Sequence, residues 1–100
     1  MRGREPSEKH KELLRELNEE RAAALMRISR TLESLILQLR ASRERVRSAS
    51  GPDREREVAA WHSLRERAVK YRWYLEVQRE ALGMRRHEVL DEFYEVPALE

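Results

Sequence analysis

Ser48-Ala49-Ser50-Gly51-Pro52-Asp53 separates two long runs of the chain that contain almost no helix-breaking residue. Adjacent glycine and proline form a strong turn signal, because glycine accepts unusual backbone angles and proline cannot continue a helix. The run from residue 7 to residue 50 contains neither residue type, and the run from 53 to 96 contains only Gly83. Each run is long enough for a helix of roughly 60 Å. The sequence therefore predicts an all-α fold, a long antiparallel helical hairpin that resembles a coiled coil.

The same breakers set the expected boundaries. We expect a disordered N-terminus over 1–6, a single helical-hairpin domain over 7–96 and a tail over 97–100. Within the domain we expect a helix over 7–48, a turn over 49–52 and a helix over 53–95. Ser7 is a candidate N-cap of the first helix, Gly51 a candidate residue just past its end, and Asp53 a candidate cap of the second.

Gly83 leaves two interpretations of the second helix open. A glycine inside a helix costs about 1 kcal/mol relative to alanine, so the helix could end there and a short third helix could follow. No Ser, Thr, Asp or Asn follows Gly83 within three residues to cap such a helix. We therefore favour a helix that is continuous or kinked through Gly83, with a break as the alternative.

Apolar residues follow a three-and-four spacing in both runs, which predicts one buried stripe on each helix. In the first run the stripe comprises Leu14, Leu25, Ile28, Leu32, Leu35, Leu39 and Val46. In the second run it comprises Trp61, Leu64, Ala68, Tyr71, Leu75, Leu82 and Val89. The second run carries a further apolar set elsewhere on its surface, and one neighbouring helix can cover only one face. The hairpin is therefore expected to complete a four-helix bundle by dimerisation.

This second apolar set gives the predicted protein interface. The set comprises Val69, Trp73, Val77, Met84, Leu90 and Tyr94, and the predicted interface residues are Tyr71, Trp73, Val77, Met84, Leu90 and Tyr94. We expect a homodimer first, with a different helical protein as a second possibility and a monomer with a folded-back third helix as a third. The predicted function is that of a non-enzymatic protein–protein interaction or assembly module. It would act by packing helix on helix, with Trp73 as the favoured contact.

Arginines suggest an alternative function. Arg65, Arg72, Arg79 and Arg86 recur every seven residues, and such flanking positions usually pair with acids across a helix interface. In a continuous hairpin, Arg85 and Arg86 would approach the acids Glu16, Glu19 and Glu20. The runner-up interpretation is a small nucleic-acid-associated protein that also uses arginines near the turn. Those candidate contacts are Arg40, Arg43, Arg45, Arg47, Arg54 and Arg56.

Other chemistry has little support in the sequence. The absence of cysteine excludes disulfides, thiolate metal sites and cysteine nucleophiles, and no phosphate-binding or catalytic motif is present. We therefore expect no enzymatic activity, no cofactor and no metal. A net charge of +2 and the lack of an apolar run near 18 residues favour a cytoplasmic protein with no membrane partner. The apolar tail from residue 91 onward is expected to fold back on the bundle, or alternatively to dock into a partner.

Overall fold

The structure is a computed structural model, and it describes residues 7–99. Within this range the chain forms three α-helices and no β-strand. α1 spans Glu8–Ser48, α2 spans Gly51–Ala81 and α3 spans Glu88–Phe93. The first two helices pack against each other. The predicted all-α helical hairpin is therefore confirmed, whereas the disorder predicted for residues 1–6 lies outside the described residues.

α1 is closed at both ends by groups that satisfy the backbone atoms a helix leaves unpaired. The Ser7 hydroxyl accepts a hydrogen bond from the His10 backbone N–H at 3.1 Å, as an N-cap serine should. At the other end, the Ala49 backbone N–H donates to the carbonyl of Arg45. Arg45 and Arg47 also place positive charge in the last turn, where it stabilises the negative end of the helix dipole.

The turn between α1 and α2 is shorter than the sequence predicts. Only Ala49 and Ser50 lie between the helices, because Gly51 starts α2 instead of closing α1. Its φ of +58° is a left-handed conformation that glycine adopts without the clash of a Cβ atom. Pro52 then occupies the first turn of α2, where its missing N–H is not needed. Asp53 does not cap α2 as predicted, because the N-cap position belongs to Ser50.

The hydrophobic core lies mainly toward the turn end of the hairpin. Its buried side chains are Leu32, Leu35, Ile36, Leu39 and Val46 of α1, Trp61, Ala68 and Leu75 of α2, and Leu90 of α3. Ser42 interrupts the α1 stripe, and it is fully buried with no hydrogen-bond partner for its hydroxyl among the described atoms. Burial fades toward the start of α1, where every residue from 8 to 20 is exposed.

α2 ends at Ala81 because the backbone around Gly83 closes it. The Gly83 N–H donates to the carbonyl of Glu80, and the Met84 N–H donates to the carbonyl of Arg79, both at 2.9 Å. This pair of bonds is a Schellman motif, which requires a left-handed residue, and the φ of Gly83 is +86°. The helix predicted over 53–95 is therefore not continuous. The structure has the alternative, a break at Gly83 followed by a short third helix.

A continuous helix through Gly83 was favoured because no capping residue for a third helix follows Gly83 within three residues. α3 indeed begins without a side-chain cap, since the side chain of its N-cap residue His87 makes no such bond. Burial compensates for the missing cap, because Leu90 in the middle of α3 is only 2% exposed. Tertiary packing thus decides whether this six-residue helix forms, as is usual for helices too short to be stable alone.

Residues 84–99, called the return segment below, fold back along the α1–α2 pair. Besides Leu90, the side chains of Tyr94, Val96 and Leu99 pack against the core. The segment runs in the opposite direction to α2, as its successive contacts show. Going backward along α2, Arg79 bonds to Arg86, Arg72 to Asp91 and Arg65 to Pro97. The fold-back expected for the tail is therefore confirmed.

Candidate helix-docking surfaces

The six side chains predicted to form a protein interface fall into two groups of three. Tyr71, Leu90 and Tyr94 are covered wholly or in part within the chain, and Trp73, Val77 and Met84 remain exposed. The return segment explains this division. It supplies, from the same chain, part of the cover that the sequence assigned to a second chain.

The exposed group is centred on an apolar ridge of α2, called the Trp73 face, which comprises Val69, Trp73 and Val77. Their four-residue spacing places them on one side of the helix. Trp73 is 58% exposed, and its ring lies 5.6 Å from the ring of Tyr74. A groove of about 650 Å³ lies beside the ridge, between α2 and the return segment. An exposed tryptophan next to an apolar groove is typical of a surface that packs against another protein.

The second exposed surface was not singled out from the sequence. α1 has 41 residues and α2 has 31, so about ten residues of α1 extend about 15 Å past the end of α2. These residues, 8–17, are called the α1 overhang. They carry three exposed leucines, Leu13, Leu14 and Leu17. Leu14 belongs to the same stripe as Leu25, which packs against the core, so the apolar stripe continues beyond the helix that covers it.

The heptad arginines of α2 hold the return segment. Arg65 Nε donates to the Pro97 carbonyl at 3.4 Å, and Arg79 Nη2 donates to the Arg86 carbonyl at 2.7 Å. Between them, Arg72 binds the carboxylates of Asp91 and Glu76, and its side chain is only 20% exposed. From α1, Arg43 donates to the Ala98 carbonyl at 3.2 Å. The row therefore does pair across an interface, but with the returning chain rather than with acids of α1.

The predicted approach of Arg85 and Arg86 to acids of α1 does not occur. Among the described residues, no ion pair joins either arginine to Glu16, Glu19 or Glu20. The physical reason is the Schellman turn, which ends α2 before these arginines and directs the chain back toward the core. Glu19 instead pairs with an arginine on its own helix.

The groove under the return segment matches its occupant in charge but not in every hydrogen bond. The segment carries carboxylates at Glu88, Asp91, Glu92 and Glu95, and Arg65, Arg72 and Arg79 of α2 contact it. Three buried ring or guanidinium nitrogens at this interface nevertheless have no hydrogen-bond partner in the described part of the chain. They are Arg43 Nε, Arg79 Nε and His87 Nδ1. Buried donors without partners weaken an interface, so these three nitrogens lower the free energy that holds the return segment in place.

The arginines near the turn are largely occupied by neighbouring acceptors. Arg45 Nε lies 3.2 Å from Glu57 Oε2, and Arg47 Nη1 lies 2.5 Å from Glu44 Oε1. Arg56 pairs with Asp53, and Arg43 binds the return segment as described above. Arg40 lines a small groove beside Pro97, and Arg54 is exposed. Because the pairs lie within the chain, the arrangement favours local charge compensation over a surface shaped for phosphates.

Histidines and carboxylates do not gather into a recognisable centre. Within residues 7–99, no group of three or more His, Asp or Glu side chains could hold a metal ion. His87 Nε2 lies 3.1 Å from Glu80 Oε1, and the His62 ring packs edge-on against the Trp61 ring at 5.2 Å. Both histidines therefore take part in contacts of the hairpin itself.

No helix in the described part of the chain is sufficiently long and apolar to span a membrane. In comparisons with known proteins, no family model matched the chain, and neither the curated proteins nor the solved structures gave a significant match. The features of the hairpin that bear on function are therefore its exposed apolar surfaces.

Proposed function

We propose that this chain is a non-enzymatic interaction module that associates with another helical chain by helix-on-helix packing. One observation carries the proposal. The apolar stripe of α1 runs about 15 Å past the end of α2, and its leucines there have no cover in this structure. A stripe that is buried along part of one helix and exposed along the rest has the surface of an unfinished bundle.

The Trp73 face supports the same function. Large apolar side chains are common on protein surfaces as single residues, but a tryptophan flanked by two valines at helical spacing forms a continuous patch. The α1 overhang and the Trp73 face lie on different helices, so one associating chain could contact either or both. Each offers a site for the apolar side of an amphipathic helix.

The expected partner helix follows from the chemistry of the overhang. The overhang is balanced in charge, with Glu8, Glu12 and Glu16 beside Lys9, Lys11 and Arg15, and Arg15 pairs with Glu12 and Glu19. A helix with a leucine-rich stripe flanked by charges of both signs would match the apolar area and the mixed charge. Single exposed ion pairs add little affinity, so burial of the leucines would supply most of the binding free energy.

The test removes two of the three overhang leucines, Leu14 and Leu17, without touching the core. In the double variant Leu14→Ser, Leu17→Ser, each lost leucine contact should cost about 1.5 kcal/mol of binding free energy. Together they should raise the dissociation constant about 100-fold. Sedimentation equilibrium measures self-association, and co-purification from cell extract measures association with other proteins.

Leu37→Ser is the matched control, because Leu37 is a leucine of the same helix that is 63% exposed but lies off the α1 stripe. The control should associate like the parent, and any protein that co-purifies should be retained by parent and control and lost with the double variant. Equal association of all three proteins would contradict the proposal, as would a parent that associates with nothing.

A further inference from the structure

The sequence around Gly83 fits two conformations. In this structure α2 stops there, yet the apolar stripe of α2 continues at seven-residue steps through Leu75, Leu82 and Val89. The arginine row continues in the same way from Arg79 to Arg86. A stripe that keeps its spacing across a break indicates that a straight helix through Gly83 would present one uninterrupted apolar face.

A straight α2 would cover the α1 overhang. Because both helices rise about 1.5 Å per residue from one turn, residues 82 and 89 would lie opposite about residues 17 and 10 of α1. Leu82 would then approach Leu14 and Leu17, the uncovered leucines. Arg85 and Arg86 would then face the acids of α1 near residues 16–20, whereas in the structure described above, the closed form, Glu19 pairs with Arg15 instead.

The return segment is held by side-chain contacts and has little secondary structure of its own. Its only helix has six residues and no side-chain cap, and Leu90 is its one fully buried side chain. Phe93 remains 67% exposed. Arg43 Nε, Arg79 Nε and His87 Nδ1, the unpaired nitrogens described above, belong to residues at the contact of the segment with α1 and α2. Helices this short form only when tertiary contacts support them, so the groove and its occupant are separable.

A second copy of the chain could fill the vacated groove with the same contacts. Three bonds join α2 to the segment in antiparallel order: Arg65–Pro97, Arg72–Asp91 and Arg79–Arg86. The midpoint in sequence of each bonded pair lies between residues 81 and 83. If α2 were straight, two chains related by a two-fold axis near that centre would place each return segment in the groove of the other. In that arrangement Arg65, Arg72 and Arg79 of one chain would face residues 86–97 of the other, and such an exchange is a common route to dimers.

We propose that two copies of this chain exchange residues 84–99, with Gly83 as the hinge, to form a two-fold dimer of continuous hairpins. In that dimer α2 covers the α1 overhang of its own chain, and its extension occupies the arginine-lined groove of the other. The proposal rests on the proposed function, association with another helical chain, and goes beyond it: the overhang is covered within its own chain, and the contact between chains is made in the groove. The occupant of the groove is an acidic amphipathic segment, residues 84–99 of a second copy.

The experiment uses Gly83→Ala in the full chain. Alanine disfavours the left-handed turn and favours a helix, each by about fivefold, so the ratio of exchanged to closed chains should rise about 30-fold per chain. Two controls separate this from general strain. Gly51→Ala places the same residue at another glycine with positive φ, and Gly83→Asn keeps a residue that tolerates the left-handed turn.

The readouts are mass by sedimentation and one distance within the chain. Because the sequence contains no cysteine, Lys11→Cys and Val89→Cys accept spin labels selectively, and an excess of unlabelled chain suppresses distances between copies. In the closed form these positions lie about 25 Å apart along α1, and in the exchanged form they face each other at about 10 Å. Gly83→Ala should therefore give a dimer with the short distance, and both controls should resemble the parent.

Each result decides between the two proposals. A Gly83→Ala dimer that retains the long distance would overturn the exchange and support docking of closed hairpins, which is the proposed function without this mechanism. A monomeric Gly83→Ala protein would overturn the exchange whatever its distance. If Gly83→Ala does not fold, the same mass and distance are measured on the labelled parent at increasing concentration. A long distance between the labels in the parent's dimer would refute the exchange.

Discussion

The two ends of the hairpin carry the same apolar spacing but differ in what covers it. Near the turn, Leu39 and Val46 are 0% and 2% exposed, whereas Leu14 and Leu17 at the far end of α1 are 46% and 39% exposed. All four are aliphatic side chains of the same helix. The difference teaches that spacing determines which side of a helix can be buried, while the length of the neighbouring element determines whether it is.

The return segment adds a third layer between these two ends. It packs on both helices, from Arg43 and Glu33 on α1 to Arg65 on α2, and leaves the overhang bare. The molecule therefore has a firm end, the buried core near the turn. It also has a middle covered by the return segment and an uncovered end at the α1 overhang. Substitutions in the three regions should affect the free energy of unfolding in that order.

The largest effect is expected in the firm end, for Leu39→Ala. Truncating a fully buried leucine removes its apolar contacts and leaves a cavity, so the free energy of unfolding should fall by about 3 kcal/mol. Urea denaturation followed by circular dichroism measures this loss. Leu37→Ala, two residues away and mostly exposed, should change it by less than about 0.5 kcal/mol. Similar losses for the two variants would contradict the core assignment of the α1 stripe.

A smaller and local effect is expected in the middle, for Leu90→Ala. This change removes the one fully buried side chain of α3 and should cost about 2 kcal/mol of the free energy that holds residues 84–99 in place. Amide hydrogen exchange should therefore accelerate in the return segment and stay slow in the α1–α2 core. Phe93→Ala is the control, since this exposed side chain on the same helix contributes little. Loss of protection throughout the hairpin would show that the return segment is not separable.

Much of the firm end was predictable from the sequence. The spacing of Leu32, Leu35 and Leu39 predicts a stripe that is buried wherever a second helix lies alongside. The adjacent Gly51 and Pro52 predict the turn that brings the second helix there. Local chemistry and tertiary packing agree there. The exact turn was predicted wrongly, because Asp53 was expected to cap α2, whereas α2 begins at Gly51 and has Ser50 as its N-cap.

The uncovered end was predicted less well, because the conformation of the single residue Gly83 decides whether α2 extends over it. Continuous apolar spacing through Leu82 and Val89 favoured a straight helix, but burial of Leu90 and the Schellman bonds at Gly83 outweigh that preference in this structure. This competition depends on tertiary contacts that spacing does not reveal. Once the break is known, the overhang follows from the unequal lengths of the two helices. The split of the predicted interface into covered and exposed residues follows from the fold-back.

The smallest effect on global stability is expected at the uncovered end, for Ser7→Ala. The Ser7 hydroxyl caps α1, so its loss should destabilise the first turns of the overhang by about 1 kcal/mol and accelerate amide exchange there. In the monomer the overhang packs on no other helix, so the urea midpoint should hardly move. Ser50→Ala is the matched control, because Ser50 is an N-cap whose side chain makes no capping bond. A Ser7→Ala variant with a clearly lower urea midpoint would place the overhang inside the cooperative core, and the contrast between the two ends of the hairpin would then be wrong.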